Sequence, residues 1–170
     1  AEKTLGTVEG EKSRHGWMSG ADPLYRGLVL NLLEQGKASE ALQLWEWART
    51  RSAASSHTRP DADWVEIRKE IFKPLPLSSE TRLVYAVLED RLQIWIVSDK
   101  EIKSRRVSVG HQDLEAMVRD FSKLCSRADS DPKELHRLGA QLGTLLLHEV
   151  VPVLAVSQPL VIELDPKIEE

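Results

Sequence analysis

The sequence predicts an α/β fold, in an α+β arrangement over its 170 residues. The expected parts are a helical hairpin, an antiparallel β-meander, two amphipathic helices and one terminal core-type strand. Three observations predict this. Apolar residues recur at helical spacing up to Phe72 and again from Leu114 to Leu146. Between these stretches the turn residues Asp90-Arg91 and Asp99-Lys100-Glu101 cut an apolar region into three runs of strand length. The last apolar run, Leu160-Val161-Ile162-Glu163-Leu164, lies between Pro159 and Asp165-Pro166 and is too short for a helix.

Composition narrows the class. Apolar residues make up 41%, enough for a sizeable core, and charged residues 29%. Lys plus Arg is 23 against 27 Asp plus Glu, a formal charge of -4. No strong basic field is present, so nucleic acid is not the expected partner. Cys125 is the only cysteine. A disulfide-stapled secreted scaffold is therefore excluded, and a reducing, cytoplasmic setting is expected. No apolar run approaches the roughly 18 residues of a membrane span. The first 20 residues carry charges and glycines but no apolar h-region, so no secretory signal is expected there.

Residues 1–20 have few large apolar side chains and no period, which predicts a flexible lead-in. Order is expected to begin at Asp22-Pro23, a helix-start pair. Leu24, Tyr25, Leu28 and Leu32 then fall at helical spacing, and Gly36 ends the helix. A second helix starts near Ala38-Ser39, with Ala41, Leu42, Trp45 and Ala48 on one stripe. Residues 52–60 read as a linker by composition. Residues 61–72 form a shorter amphipathic helix with Trp64, Ile67 and Ile71 on one face, stopped by Pro74 and Pro76. These helices make a region over 21–76, and the α/β part covers 77–170.

In the α/β part, residues 82–89 form the first strand. Leu92, Ile94 and Ile96 alternate with Gln93, Trp95 and Val97 in the second. The third, residues 102–109, carries Lys103, Ser104, Arg105 and Arg106, as suits a sheet edge. The next helix bears Leu114, Met117, Val118, Phe121, Leu124 and Cys125 on one stripe. Asp131-Pro132 starts another, with Leu135, Leu138, Leu142, Leu145 and Leu146 on one face, ended by Pro152. The final strand reads as buried on both faces in a parallel sheet. A parallel partner needs a crossover, and no sequence follows to supply one. The expectation is that a second chain completes the sheet or that the polypeptide is part of a longer one.

Two stretches resemble known families. The segment from Leu33-Glu34-Gln35-Gly36 to Trp45-Glu46-Trp47-Ala48 resembles the centre of a tetratricopeptide repeat. Gly36 stands at its turn, Ala41 and Ala48 at the small-residue positions, and Trp45 in the large slot. Val29 departs from the pattern, where the family usually has glycine. One repeat alone needs neighbours; an ordinary helical hairpin is the other reading.

Residues 80–170 resemble the opening part of a CHAT domain. The resemblance rests on the ordered combination of apolar strand, Glu89-Asp90-Arg91-Leu92 turn, strand and polar strand, then the helix opening His111-Gln112-Asp113-Leu114. It continues with Leu145-Leu146-Leu147-His148-Glu149-Val150-Val151-Pro152 and Pro159-Leu160-Val161-Ile162. That family is a caspase- and separase-like cysteine peptidase domain, commonly encoded after tetratricopeptide repeats. The resemblance implies that Leu160–Leu164 is the first strand of the peptidase core. It also implies that the catalytic histidine and cysteine follow later strands, so this chain alone is inactive.

The residues themselves offer little chemistry. A thiolate needs an imidazole within hydrogen-bond reach, and Cys125 lies on an apolar stripe, where it reads as core packing. His15 precedes the regular structure and His57 sits in the linker. His111 precedes a helix. His136 and His148 stand more than three turns apart. No zinc or calcium spacing and no phosphate-binding glycine loop occurs, so neither metal nor cofactor is expected.

What remains is protein interaction. Lys103, Arg105 and Arg106, with nearby Lys100, form a basic cluster that protects an edge or docks an acidic partner. Trp45 fits the hairpin core, and Trp47 falls about 200° away on the same helix. Trp47 is therefore expected to face either the Trp64 helix or a partner molecule. The expected function is a non-catalytic amino-terminal portion of a CHAT-type peptidase, serving as scaffold and interaction region. The competing class is a self-sufficient binding module that forms a homo-oligomer through its last strand. A third is a chain cut from its precursor that stays bound to its catalytic partner.

Overall fold

A computed structural model of the chain describes residues 11–53, 63–75, 79–154 and 159–168. The fold is α+β, with two compact units, Ala1–Pro76 and Leu77–Glu170.

The first unit holds helices α1 (Glu11–Glu34), α2 (Ala38–Ala53) and α3 (Trp64–Ile71). Residues 11–20 are helical rather than a flexible lead-in, and α1 runs through Pro23 instead of starting there. Residues 1–10 lie outside the described residues. Proline removes one backbone donor, but its fixed φ is helical, so residues on both sides carry the helix past it. The lack of an apolar period in that stretch was therefore not a lack of helix. At the other end, Gly36 adopts φ +74. Its N–H donates to the Leu33 carbonyl at 3.0 Å, and Lys37 N–H to Leu32 at 2.9 Å. This pair of bonds satisfies the last carbonyls of α1 and turns the chain into α2.

Helix α2 is buried around most of its circumference, with Ala41 and Leu42 fully covered. It includes Ser52 and Ala53, which composition assigns to a linker; the rest of that linker, residues 54–60, lies outside the described residues. Helix α3 starts at Trp64, somewhat later than expected, and buries Ile67 and Ile71. The Gln43 side chain donates to the Lys73 carbonyl at 2.9 Å, tying the end of α3 to α2.

The second unit contains β1 (Thr81–Val87), β2 (Leu92–Val97), β3 (Ile102–Val107), α4 (His111–Cys125), α5 (Pro132–Leu147) and β4 (Leu160–Glu163). Short 3-10 turns cover Val151–Val153 and Pro166–Ile168. The sheet order is β3-β2-β1-β4. β1 to β3 form the expected antiparallel meander. β4 lies parallel to β1, with Leu83 beside Ile162.

This topology corrects two expectations. The crossover to a parallel partner precedes β4: β2, β3, α4 and α5 all lie between β1 and β4. Among the described residues β4 is also an edge strand and not a central one, and Leu160 and Ile162 are 43% and 50% exposed. Residue-level apolarity marks a strand suited to burial but carries no information about which neighbours arrive.

One face of the sheet presents Leu83, Tyr85, Val87, Leu92, Ile94 and Ile96 to a core that includes Leu114, Leu142 and Val150. Met117, Val118, Phe121, Leu145 and Leu146 pack against it. A Cβ on Gly139 would come within 3.2 Å of Phe121 Cε2, so the missing side chain lets that ring lie against α5. On the opposite face Val84, Ala86, Gln93, Trp95 and Val97 are buried too. Asp131 caps α5 by accepting from Lys133 N–H at 2.9 Å, with Pro132 in the first turn.

Tyr85 joins sheet to helix. Its hydroxyl donates to the Leu146 carbonyl at 2.8 Å, one of the helix-end carbonyls left without an intrahelical partner. Burial pushes its phenol up to about 12. A raised acid pKa favours the folded state below the ordinary tyrosine value, and that contribution is lost as pH rises from about 10 to about 12. Tyr85→Phe is expected to cost about 1 kcal/mol at neutral pH. It should also flatten the fall of the urea midpoint between pH 10 and 12. Parallel curves for the two proteins across that range would contradict the assignment.

Candidate functional site

The residues singled out from the sequence do not converge on one site. Trp47 is buried, and its ring meets Tyr25 of α1 edge-on, with centroids 5.9 Å apart and planes at 71°. Of the two neighbours expected for Trp47, the Trp64 helix or a partner molecule, its described ring contact is with neither but with α1. Trp45 is buried as well, with the Arg26 guanidinium 4.9 Å over its ring. Arg26 is itself held by Asp22 at 2.6 Å. Tyr25 and Arg26 are neighbours, so both indoles reach α1 despite their angular separation on α2. An angular separation of about 200° describes Cα positions, whereas an indole is long enough to lean around its helix.

The basic cluster is divided by the pleat of β3. Register places Lys103 beside Ile96 and Arg105 beside Ile94, on the face that carries the α4–α5 core. Arg106 sits beside Gln93 on the other face. Lys103 pairs with Glu101 at 2.5 Å, and Arg105 donates to the Ser104 carbonyl at 3.0 Å. Arg106 reaches Asp90 at 3.3 Å. Asp90 also takes a two-pronged contact from Arg91, at 2.8 and 2.9 Å, which holds its carboxyl below the usual carboxylate range. The cluster is thus split between the two faces of β3, with Lys103 and Arg105 on one and Arg106 on the other.

Cys125 is exposed, contrary to its reading as core packing. Burial falls away along the last turn of α4, where Leu124 is half-buried and Ser126 exposed. The stripe continues past the core it was meant to cover. No hydrogen bond joins Cys125 to a histidine among the described residues. His136 is exposed, and His148 Nδ1 lies 3.3 Å from Glu149. His57 lies outside the described residues, as does the side chain of His15. Among the described residues no group of three His, Cys, Asp or Glu side chains is placed to hold a metal ion. No described helix is long and apolar enough to cross a membrane.

The unusual chemistry lies at the β1–β4 end of the sheet. Thr81 N–H donates to the Pro159 carbonyl at 2.9 Å, which starts the parallel ladder. At the far end Val87 N–H donates to Asp165 Oδ2 at 2.7 Å. Asp165 is fully buried, and its other oxygen accepts from Lys167 N–H at 3.0 Å. Its main-chain carbonyl accepts from Ile168 at 2.9 Å and so starts the final 3-10 turn. The carboxylate thus takes the place of a strand carbonyl where β4 turns away. Across the same two strands Arg82 and Glu163 pair at 2.7 Å. In the sequence Asp165-Pro166 marks only a boundary; the further signal there is a capping residue directly after a core-type strand.

The two sheet edges are unlike. β3 is polar and charged, the usual protection for an edge. β4 is apolar at Leu160, Val161 and Ile162, and its one acidic residue is already paired with Arg82. Among the described residues no strand pairs with its outer side. Compared with protein-family models, curated proteins and solved structures, the chain matches nothing in any of the three.

Proposed function

We propose that this chain is a non-catalytic protein-interaction scaffold, the amino-terminal portion of a CHAT-like cysteine peptidase, whose sheet takes a further strand on the outer edge of β4. The observation that carries this is the position of β4. It is a parallel, apolar edge strand with Leu160 and Ile162 exposed, while the opposite edge bears the charges. An edge of that kind, without lysine or a bulge, invites strand addition. The resemblance implies that in a longer parent the added strand would be the next strand of the peptidase core. The helical unit would supply a second protein-binding surface, in keeping with its tetratricopeptide-like turn at Gly36. Catalysis is assigned to residues outside this sequence, since Cys125 stands apart from any described histidine. A reducing, cytoplasmic setting suits the single exposed thiol.

The encoding reading frame tests the proposal. It is expected to continue past Glu170 through strands followed by a histidine and then a cysteine. The full-length product should cleave peptides, lose activity when that later cysteine is changed to Ala, and keep it with Cys125→Ser. A stop codon directly after Glu170 would overturn the peptidase reading.

A further inference from the structure

We infer that, in the 170-residue chain, the strand added at β4 is β4 of a second copy, related by a two-fold axis through Val161. The inference rests on the reading above that this edge accepts a strand.

Backbone parity supplies the first part of the argument. Pro159 turns its carbonyl toward Thr81 N–H, and the register sets Thr81 beside Leu160 and Leu83 beside Ile162. In a ladder of period two, Val161 and Glu163 also face β1, while the N–H and C=O groups of Leu160 and Ile162 point outward. Two copies that continue one sheet across a two-fold axis pair antiparallel and keep their faces. The axis must then pass through a residue rather than between two.

Side-chain chemistry selects the residue. With the axis at Val161, Leu160 of one copy opposes Ile162 of the other, twice, through the outward-pointing backbone groups. This closes four N–H···O=C bonds. The two Val161 residues face each other in the wide, non-hydrogen-bonded position. Glu163 falls opposite Pro159, so no like charges meet, and Glu163 keeps its Arg82 partner. An axis at Ile162 would instead set Glu163 against Val161, placing a charge opposite an apolar side chain on both sides of the axis. The interface is self-complementary, as a two-fold contact requires, and it covers Leu160 and Ile162, which are otherwise among the exposed large apolar side chains. Four residues per copy make a small interface, so the dimer is expected to be concentration-dependent.

Sedimentation velocity of the intact chain up to about 1 mM should show a species at twice 19.2 kDa that grows with concentration. Ile162→Lys is expected to weaken it by at least about tenfold, through two lost apolar cross-strand pairs. Val151→Lys, at another exposed apolar position, should leave it unchanged. Val161→Cys in a Cys125→Ser background reads the register directly. Facing residues of a non-hydrogen-bonded pair stand about 4.5 Å apart between Cα atoms, close enough for a disulfide, so mild oxidation should cross-link the two copies. A monomer at every concentration, or a dimer that Ile162→Lys leaves intact, overturns the inference. A dimer whose Val161→Cys form resists cross-linking overturns the register. A monomeric chain whose reading frame continues past Glu170 defeats the second copy and leaves the peptidase reading standing; a dimer with a stop codon there does the reverse.

Discussion

Asp165→Ala should lower the stability of the second unit by about 3 to 4 kcal/mol, a large share of the roughly 5 to 15 kcal/mol that holds most domains folded. The carboxylate receives Val87 N–H at 2.7 Å and Lys167 N–H at 3.0 Å. Val87 is 1% exposed, so water cannot replace the lost acceptor, and losing a buried hydrogen bond costs about 1 to 3 kcal/mol. The bonds lost are to a charged acceptor, the stronger kind. Asp165→Asn should lose less, because its amide oxygen can still accept from Val87 while its NH2 group cannot accept from Lys167. Urea unfolding measures the total, and hydrogen exchange at the Val87 amide assigns it. That amide should exchange faster in Asp165→Ala than in the parent under conditions where the amides of β2 are unchanged. A variant within about 0.5 kcal/mol of the parent, with Val87 still protected, would show that the carboxylate does not terminate the ladder.

Where the pattern was local, the sequence was readable. The meander could be traced because its alternation has period two and its turns are made of charged residues at Asp90-Arg91 and Asp99-Lys100-Glu101. The start of α5 could be placed because Asp131-Pro132 acts on the very next peptide groups. The reading failed where the deciding partner is remote in sequence. Nothing within Leu160–Glu163 says that its partner is Thr81–Val84, far upstream, or that only one side is paired. Nothing near Cys125 says that the core stops short of the last turn of α4. At Pro23 the reason is different: proline weakens a helix by a finite amount, and the residues around it suffice to continue α1. The edge itself was half legible. Its apolarity suggested an incomplete sheet, but the contrast with the charged β3 edge required the strand order.

Trp47→Ala should separate the two readings of that tryptophan, because they predict effects on different observables. As an exposed interface residue it would change association and leave folding alone. As placed, 8% exposed and edge-on to Tyr25, it should cost about 3 to 5 kcal/mol, the usual range for emptying a buried aromatic site. The T-shaped contact adds to simple burial, so Tyr25→Leu should also destabilise the first unit, and the double variant should lose less than the sum of the two. Trp47→Phe keeps a ring against Tyr25 and should lose much less than alanine. Association offers the contrast: Trp47 lies on α2 and the proposed pairing surface on β4, so Trp47→Phe should sediment as the parent does at every concentration. A melting curve unaffected by Trp47→Ala, with lowered self-association in either variant, would return Trp47 to the surface and move the interface from the sheet edge to the helices.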